Sequence, residues 1–202
     1  MNLPNRLTLI RIVLVPFIII FMLPVPFGGD FFAGWNNFVI NYGHYPAALL
    51  FVIASLTDLF DGKIARSRGL VTNLGKFLDP IADKLLIISV LTVLVQQQRI
   101  HSVVAIIIII REFVVTAIRL VASDCGKVIA ASKLGKMKTM LQMTAITFLM
   151  LEKPINHLLT GRIEEIWVTR TGNFLLFLAV VMTLVSGFDY LIKNIDFFKE
   201  SE

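Results

Sequence analysis

Four aspartates fall within twenty-six residues, Asp58 and Asp61 three apart and Asp79 and Asp83 four apart. On a helix, residues three or four apart share a face. Gly62 and Ala65 follow Asp58 by four and seven residues, on that same side. Such a face carries two carboxylates beside two residues with almost no side chain, so a bulky ligand can approach the backbone. A tight helical hairpin would bring both pairs together. Four carboxylates converging on one point suit a hard cation, with Mg2+ or Mn2+ the natural candidates.

Plainer roles compete for the same residues. Asp79 followed by Pro80 is a good helix start, with Asp as N-cap and Pro in the first turn. Asp83 would then be an acid favoured by the helix dipole. Asp58 and Asp61 sit toward the end of their expected helix, where the dipole disfavours anions. Pairing with Lys63, Arg66 or Lys84 would balance the charge, but it does not account for the small residues beside the acids.

The elements that position these groups follow from composition. Hydrophobic residues make up 56% of the 202 residues and charged residues 16%. A soluble domain of this size has too much surface to hide so much apolar side chain. Lipid is the fitting solvent, and in lipid the backbone must satisfy its own hydrogen bonds, which predicts helices. Six spans can be drawn, near 7–27, 46–66, 79–95, 103–122, 134–151 and 172–192. Pro24, Pro26, Gly28 and Gly29 are expected to end the first, Gln96 to Arg99 to separate the third and fourth, and Glu152-Lys153-Pro154 to end the fifth. The first is read as a retained span, because Arg11 interrupts it and no small-residue cleavage site follows. The expected fold is one all-α integral membrane domain over 1–202, a six-helix transmembrane bundle with a polar cavity open to the cytosol. The single cysteine, Cys125, allows no internal disulfide.

The net charge of +5 lies between apolar spans. It is therefore read as orientation and contact with anionic lipid, not as a nucleic-acid footprint. Arg6 and Arg11, the basic residues from Lys63 to Lys84, those from Arg119 to Lys138, and Lys193 and Lys199 fall on one side. Only Arg99, Lys153, Arg162 and Arg170 fall on the other. The asymmetry places both termini and the aspartates in the cytosol.

The pattern Asp58-x2-Asp61-Gly62-x2-Ala65-Arg66-x8-Gly75-x3-Asp79-x3-Asp83 resembles the signature of the CDP-alcohol phosphatidyltransferase family, with all eight fixed positions present. The stretches 2–8, 111–113 and 131–143 resemble the branch of that family whose acceptor is glycerol 3-phosphate. The resemblance implies a bacterial cytoplasmic-membrane enzyme, working as a homodimer. It would join CDP-diacylglycerol to glycerol 3-phosphate and release CMP. It also implies roles: Asp58, Asp61 and Asp79 as metal ligands, and Asp83 as general base and possible further ligand. Gly62 and Ala65 would make room for the nucleotide, Arg66 would reach a phosphate, and Gly75 would allow a tight turn.

A phosphorylated acceptor needs cations near the aspartates. Arg119, Lys133 and Lys136 fit by topology. Arg111, deep in the fourth span, is either a substrate contact or half of a structural ion pair. Its neighbour Glu112 is not expected to face it. Lys127 and Lys138 are read as headgroup-facing charges. His44, His101 and His157 fall at span ends or on the outer side, with no catalytic part. Other acceptors within the family, and an ion-coupled transporter, stay open as alternatives. A transporter would place its charges nearer the bilayer midplane.

Overall fold

The computed structural model describes residues 3–68, 73–124, 132–159 and 164–194, with the side chains at 3–7, 58–80, 83 and 123–124 outside the described set. Seven α-helices follow one another: α1 (Leu3–Met22), α2 (Ala33–Tyr42), α3 (His44–Arg68), α4 (Asn73–Gln96), α5 (Ser102–Asp124), α6 (Lys133–Leu159) and α7 (Glu165–Lys193). A 3-10 turn, Gly29–Phe32, precedes α2. No strand occurs among the described residues. The all-α expectation holds.

Several expected boundaries move, mostly for one reason. Apolarity marks the stretch of helix that faces a greasy surroundings, while backbone hydrogen bonding continues past it. Thus α7 begins at Glu165, well before Gly172, and α6 runs through Glu152-Lys153-Pro154 to Leu159. Glu152 is held there by Arg99 and by Thr169, whose Oγ1 donates to its Oε1 at 2.7 Å. In contrast α1 stops early, at Met22, and the chain turns through Gly28 and Gly29 with φ of 89° and 51°. The connection after it contains α2, which the sequence reading missed. Asn36 fastens α2 by accepting from the Val25 amide at 2.8 Å and donating to the Val25 carbonyl at 3.0 Å.

The fourth helix carries the most consequential correction. It starts at Asn73, so Gly75 is helical and does not form a turn in the connection. Asp79 and Pro80 lie inside the helix, past its first turn, so the N-cap reading of that pair fails.

The six long helices close into a ring. α1 packs between α3 and α4, α3 meets α6, α6 meets α7, α7 meets α5, and α5 returns to α4. Ile18, Phe51, Leu91, Leu94, Ile108 and Ile146 fill the main core, each less than 2% exposed. A second small cluster, Val115, Ile118 and Tyr190, joins α5 to α7. At the junction of α2 and α3, a Cβ on Gly43 would stand 2.1 Å from the Phe21 carbonyl oxygen, so only glycine permits that backbone contact with α1. Gln97 fixes the same end of the ring by donating to the Met22 carbonyl at 2.7 Å.

The surface differs from that of a soluble bundle. Phe113, Leu120, Phe174, Phe177, Phe188 and Ile192 point outward, while Thr8, Arg11, Lys138, Gln142 and Glu152 are buried. An apolar exterior, with charged and polar groups tucked among an apolar core, suits a hydrocarbon solvent. Among the described residues, Glu165–Lys193 is long and apolar enough to cross a membrane alone. Gly29–Tyr42 and His44–Thr57 qualify only together, as a pair bent by 66°. Other helices carry interior charge: α5 alone holds Arg111, Glu112 and Arg119.

Candidate functional site

Asp58, Asp61, Gly62, Ala65 and Arg66 lie on the C-terminal half of α3, and Gly75, Asp79 and Asp83 on the N-terminal half of α4. Their side chains are outside the described residues. The backbone nevertheless fixes their placement. Only four residues separate Arg68 from Asn73, so both aspartate-bearing halves adjoin the same short connection. Both helices also pack on α1. On α1 near that end, Thr8 and Arg11 are fully buried. In the sequence Arg11 bears on orientation and on retention of the first span. Its burial beside α3 and α4 places it among the polar groups within the core, a fact no local pattern showed. The polar cavity expected between the aspartates falls on residues 58–83 and lies outside the described side chains.

The donor set can be tested against the implied cation by its chemistry. It contains carboxylates alone, with no thiolate or imidazole, on two helices held by a third. That is a hard-oxygen set of the kind Mg2+ and Mn2+ prefer. No other group of three or more potential metal ligands occurs among the described residues.

A second polar cluster joins α5, α6 and α7. The turn from α4 to α5 lies at the end opposite the aspartates, so α5 runs back toward them, and the first turns of α6 meet it near its middle, at Arg111 and Glu112. Arg111 Nη2 donates to Ser186 Oγ on α7 at 3.2 Å. Its Nη1 stands 3.9 Å from Glu112 Oε2. Its Nε–H is buried and has no hydrogen-bond partner among the described residues. A Cβ on Gly135 would lie 3.8 Å from Arg111 Nη2, so the guanidinium reaches the first turn of α6. That turn is capped by Ser132, whose Oγ accepts from the Gly135 amide at 3.0 Å. Lys133 and Lys136 stand exposed on the same turn. Arg119 Nε donates to Tyr190 Oη at 3.3 Å, and its guanidinium carbon lies 5.6 Å from the centre of that ring. The structure thus brings Arg111 to the α6 turn that carries Lys133 and Lys136, and holds Arg119 against Tyr190 of α7.

Two expectations are corrected here. Lys138 does not face headgroups: it is 1% exposed and pairs with Glu112. Glu112 also approaches Arg111, although adjacent helical residues project about a quarter-turn apart. Both side chains are long enough to lean toward Lys138. The reading of Arg111 as an ion-pair member therefore holds in part, with its Nε left unpaired among the described residues. Lys127 and Cys125 lie outside the described residues.

The Glu112–Lys138 pair yields a stability prediction. Removing one member of a buried pair leaves an uncompensated charge and typically costs about 3–5 kcal/mol. Glu112→Ala should lower the unfolding temperature in detergent sharply, whereas the double variant Glu112→Leu/Lys138→Met should recover most of the loss. Equal destabilisation by the single and double variants would show that the pair contributes packing and not charge compensation.

Comparison with known proteins agrees with the signature. The sequence model for CDP-alcohol phosphatidyltransferases matches residues 1–186. The chain is 43% identical over 201 residues to a CDP-diacylglycerol–glycerol-3-phosphate 3-phosphatidyltransferase of Bacillus subtilis, covering 99% of this chain and 98% of the relative. The protein of the same name from Escherichia coli is 38% identical over 197 residues, covering 94% of this chain and 93% of that one. That from Rickettsia felis is 36% identical over 189 residues, with 94% and 93% covered. With eight signature positions in register on α3 and α4 and the likeness extending along nearly its whole length, the chain belongs to the CDP-alcohol phosphatidyltransferase family.

Proposed function

We propose that this chain transfers the phosphatidyl group of CDP-diacylglycerol to glycerol 3-phosphate, forming phosphatidylglycerol phosphate and CMP. The reaction class rests on family membership. The observation that carries the acceptor is the cationic cluster on α5 and α6, where Arg111, with a buried Nε–H unpaired among the described residues, reaches the turn bearing Lys133 and Lys136. A phosphate dianion suits such a site, and a neutral alcohol leaves it unpaired.

In the mechanism, Asp58, Asp61 and Asp79 would hold the divalent cation, with Asp83 as a further carboxylate of the same set. A cation held there would supply charge neutralisation at the donor pyrophosphate. Gly62 and Ala65 leave the α3 face open to the nucleotide, and Arg66 serves a donor phosphate. Arg111, Arg119, Lys133 and Lys136 draw in the acceptor phosphate and orient its free hydroxyl. Asp83 takes the proton of that hydroxyl as its oxygen attacks the lipid-linked phosphorus. One oxygen–phosphorus bond forms, the bond to the CMP oxygen breaks, and CMP leaves with the electron pair.

The setting proposed is a cytoplasmic membrane of a bacterium, crossed by α1, α3, α4, α5, α6 and α7, with the aspartate end and both termini cytosolic. The six-helix ring and its outward phenylalanines support this reading. Donor acyl chains then stay in lipid while the nucleotide sits in water. A homodimer is part of the same family-based reading.

The test is an assay of purified protein with CDP-diacylglycerol and a panel of acceptors: glycerol 3-phosphate, glycerol, serine, inositol phosphate and phosphatidylglycerol. CMP release and the lipid product are both scored. Glycerol 3-phosphate should be used, and free glycerol and serine should not. Preferential use of another acceptor would keep the reaction class and overturn the acceptor.

A further inference from the structure

The two arginines of α5 do not hold themselves in place. Each is seated by α7, and the seats are one helical turn apart. Ser186 is fully buried; its Oγ accepts from Arg111 Nη2 at 3.2 Å and donates to the Thr183 carbonyl at 3.3 Å. That second bond fixes the hydroxyl hydrogen on the backbone and leaves a lone pair aimed at the guanidinium. Gly187, next along, is buried against the arginine stem. A Cβ there would stand 3.3 Å from Arg111 Cγ, closer than side chains ordinarily pack. Tyr190 is 3% exposed, and its hydroxyl accepts from Arg119 Nε. Its ring also lies beneath the Arg119 guanidinium, a favourable cation–π placement.

These contacts do more than stabilise the bundle. Ser186 engages Nη2, Glu112 lies near Nη1, and Nε is the nitrogen with no partner among the described residues. The acceptor from α7 therefore selects which edge of the guanidinium stays free. Arg119 shows the complementary arrangement, with Nε taken by Tyr190 and its terminal nitrogens without a hydrogen-bond partner among the described residues. One helix face thus sets the aim of both cations.

We propose that Ser186, Gly187 and Tyr190 form a positioning strip on α7 that orients Arg111 and Arg119 and so sets the affinity for the acceptor's phosphate. The strip touches neither substrate; it acts through the arginines. The proposal rests on the reading of those arginines as acceptor ligands.

The experiment compares Ser186→Ala, Ser186→Thr and Tyr190→Phe in the full-length enzyme in detergent, normalised to folded protein. The readouts are KM for glycerol 3-phosphate, KM for CDP-diacylglycerol, kcat, and inhibition by inorganic phosphate against the acceptor. A hydrogen bond to a charged group typically contributes enough to change affinity about tenfold. Ser186→Ala and Tyr190→Phe should each raise the acceptor KM by about fivefold to twentyfold. The phosphate inhibition constant should rise in parallel, with kcat and donor KM changed less than about threefold. Ser186→Thr keeps the hydroxyl and should restore most of the loss. Gly187→Ala, which crowds only the stem, should move the same two constants in the same direction.

A drop in kcat with the acceptor KM and the phosphate constant unmoved would overturn the strip. So would equal shifts for donor and acceptor, or failure of threonine to rescue. If the unaltered enzyme makes no lipid product from glycerol 3-phosphate, the acceptor assignment itself falls. If it makes the product and the variants match it, only the positioning role falls.

Discussion

Asp83→Asn is expected to lower turnover by about a hundredfold to ten-thousandfold, the usual contribution of a general base, while CDP-diacylglycerol binds nearly as before. Asparagine keeps the shape of the side chain but cannot take the acceptor's proton. The competing account made Asp83 a first-turn acid that merely favours the helix dipole, a role worth about 0.3–1 kcal/mol. That account required α4 to start at Asp79. The helix starts at Asn73, which puts Asp83 beyond the reach of the terminal dipole, an effect confined to the first turn. Asp61→Asn should behave differently. It lies on α3 in the set assigned to the cation, so donor affinity should fall along with turnover. The measurement is single-turnover product formation and donor affinity for both variants, each normalised to folded protein. Near-normal turnover of Asp83→Asn would require another proton acceptor.

The aspartate constellation was legible because it breaks local rules. Charged residues on apolar helices are costly, so their presence beside Gly62 and Ala65 demanded an explanation that no packing argument supplied. Helix existence was equally legible, since an apolar chain of this composition has little else to form. Helix ends were not. Pro154 looks like a terminator, yet α6 continues through it because Glu152 is tied to Arg99 and Thr169 from two other segments. The same limit hid Lys138. Its charge and its position between apolar spans suggest a headgroup contact, and only the approach of α5 to α6 brings Glu112 to it. Ser186 and Tyr190 stayed invisible for this reason too. Nothing near either residue in sequence marks it, because its partner lies more than seventy residues away. The order of helices around the ring decides these pairings, and helical periodicity alone does not specify that order. Of the candidate acceptor residues, Arg111 and Arg119 gained defined partners, whereas Lys133 and Lys136 remain exposed cations on one turn.

Removal of divalent metal is expected to abolish activity altogether, and Mg2+ or Mn2+ is expected to restore it. Asp58, Asp61, Asp79 and Asp83 adjoin one short connection between α3 and α4. Brought together as proposed, four carboxylates would repel one another unless a cation or proton intervened. The donor brings a pyrophosphate, and so further negative charge, to the same place. Without a cation the donor and the carboxylates would be mutually repulsive, and the departing CMP would have no electrophilic support. Chelation should therefore weaken donor binding and stop turnover together, unlike Asp83→Asn, which should separate the two. A titration of activity against free metal gives a second readout. Asp61→Asn should move its midpoint upward by at least about tenfold, the lower end of the effect of disturbing a metal site. Ser186→Ala, which acts at the other cluster, should leave the midpoint where it was. Full turnover in excess chelator, with the metal content of the sample verified as negligible, would sink the cation and leave the four aspartates to be explained by protonation and pairing instead.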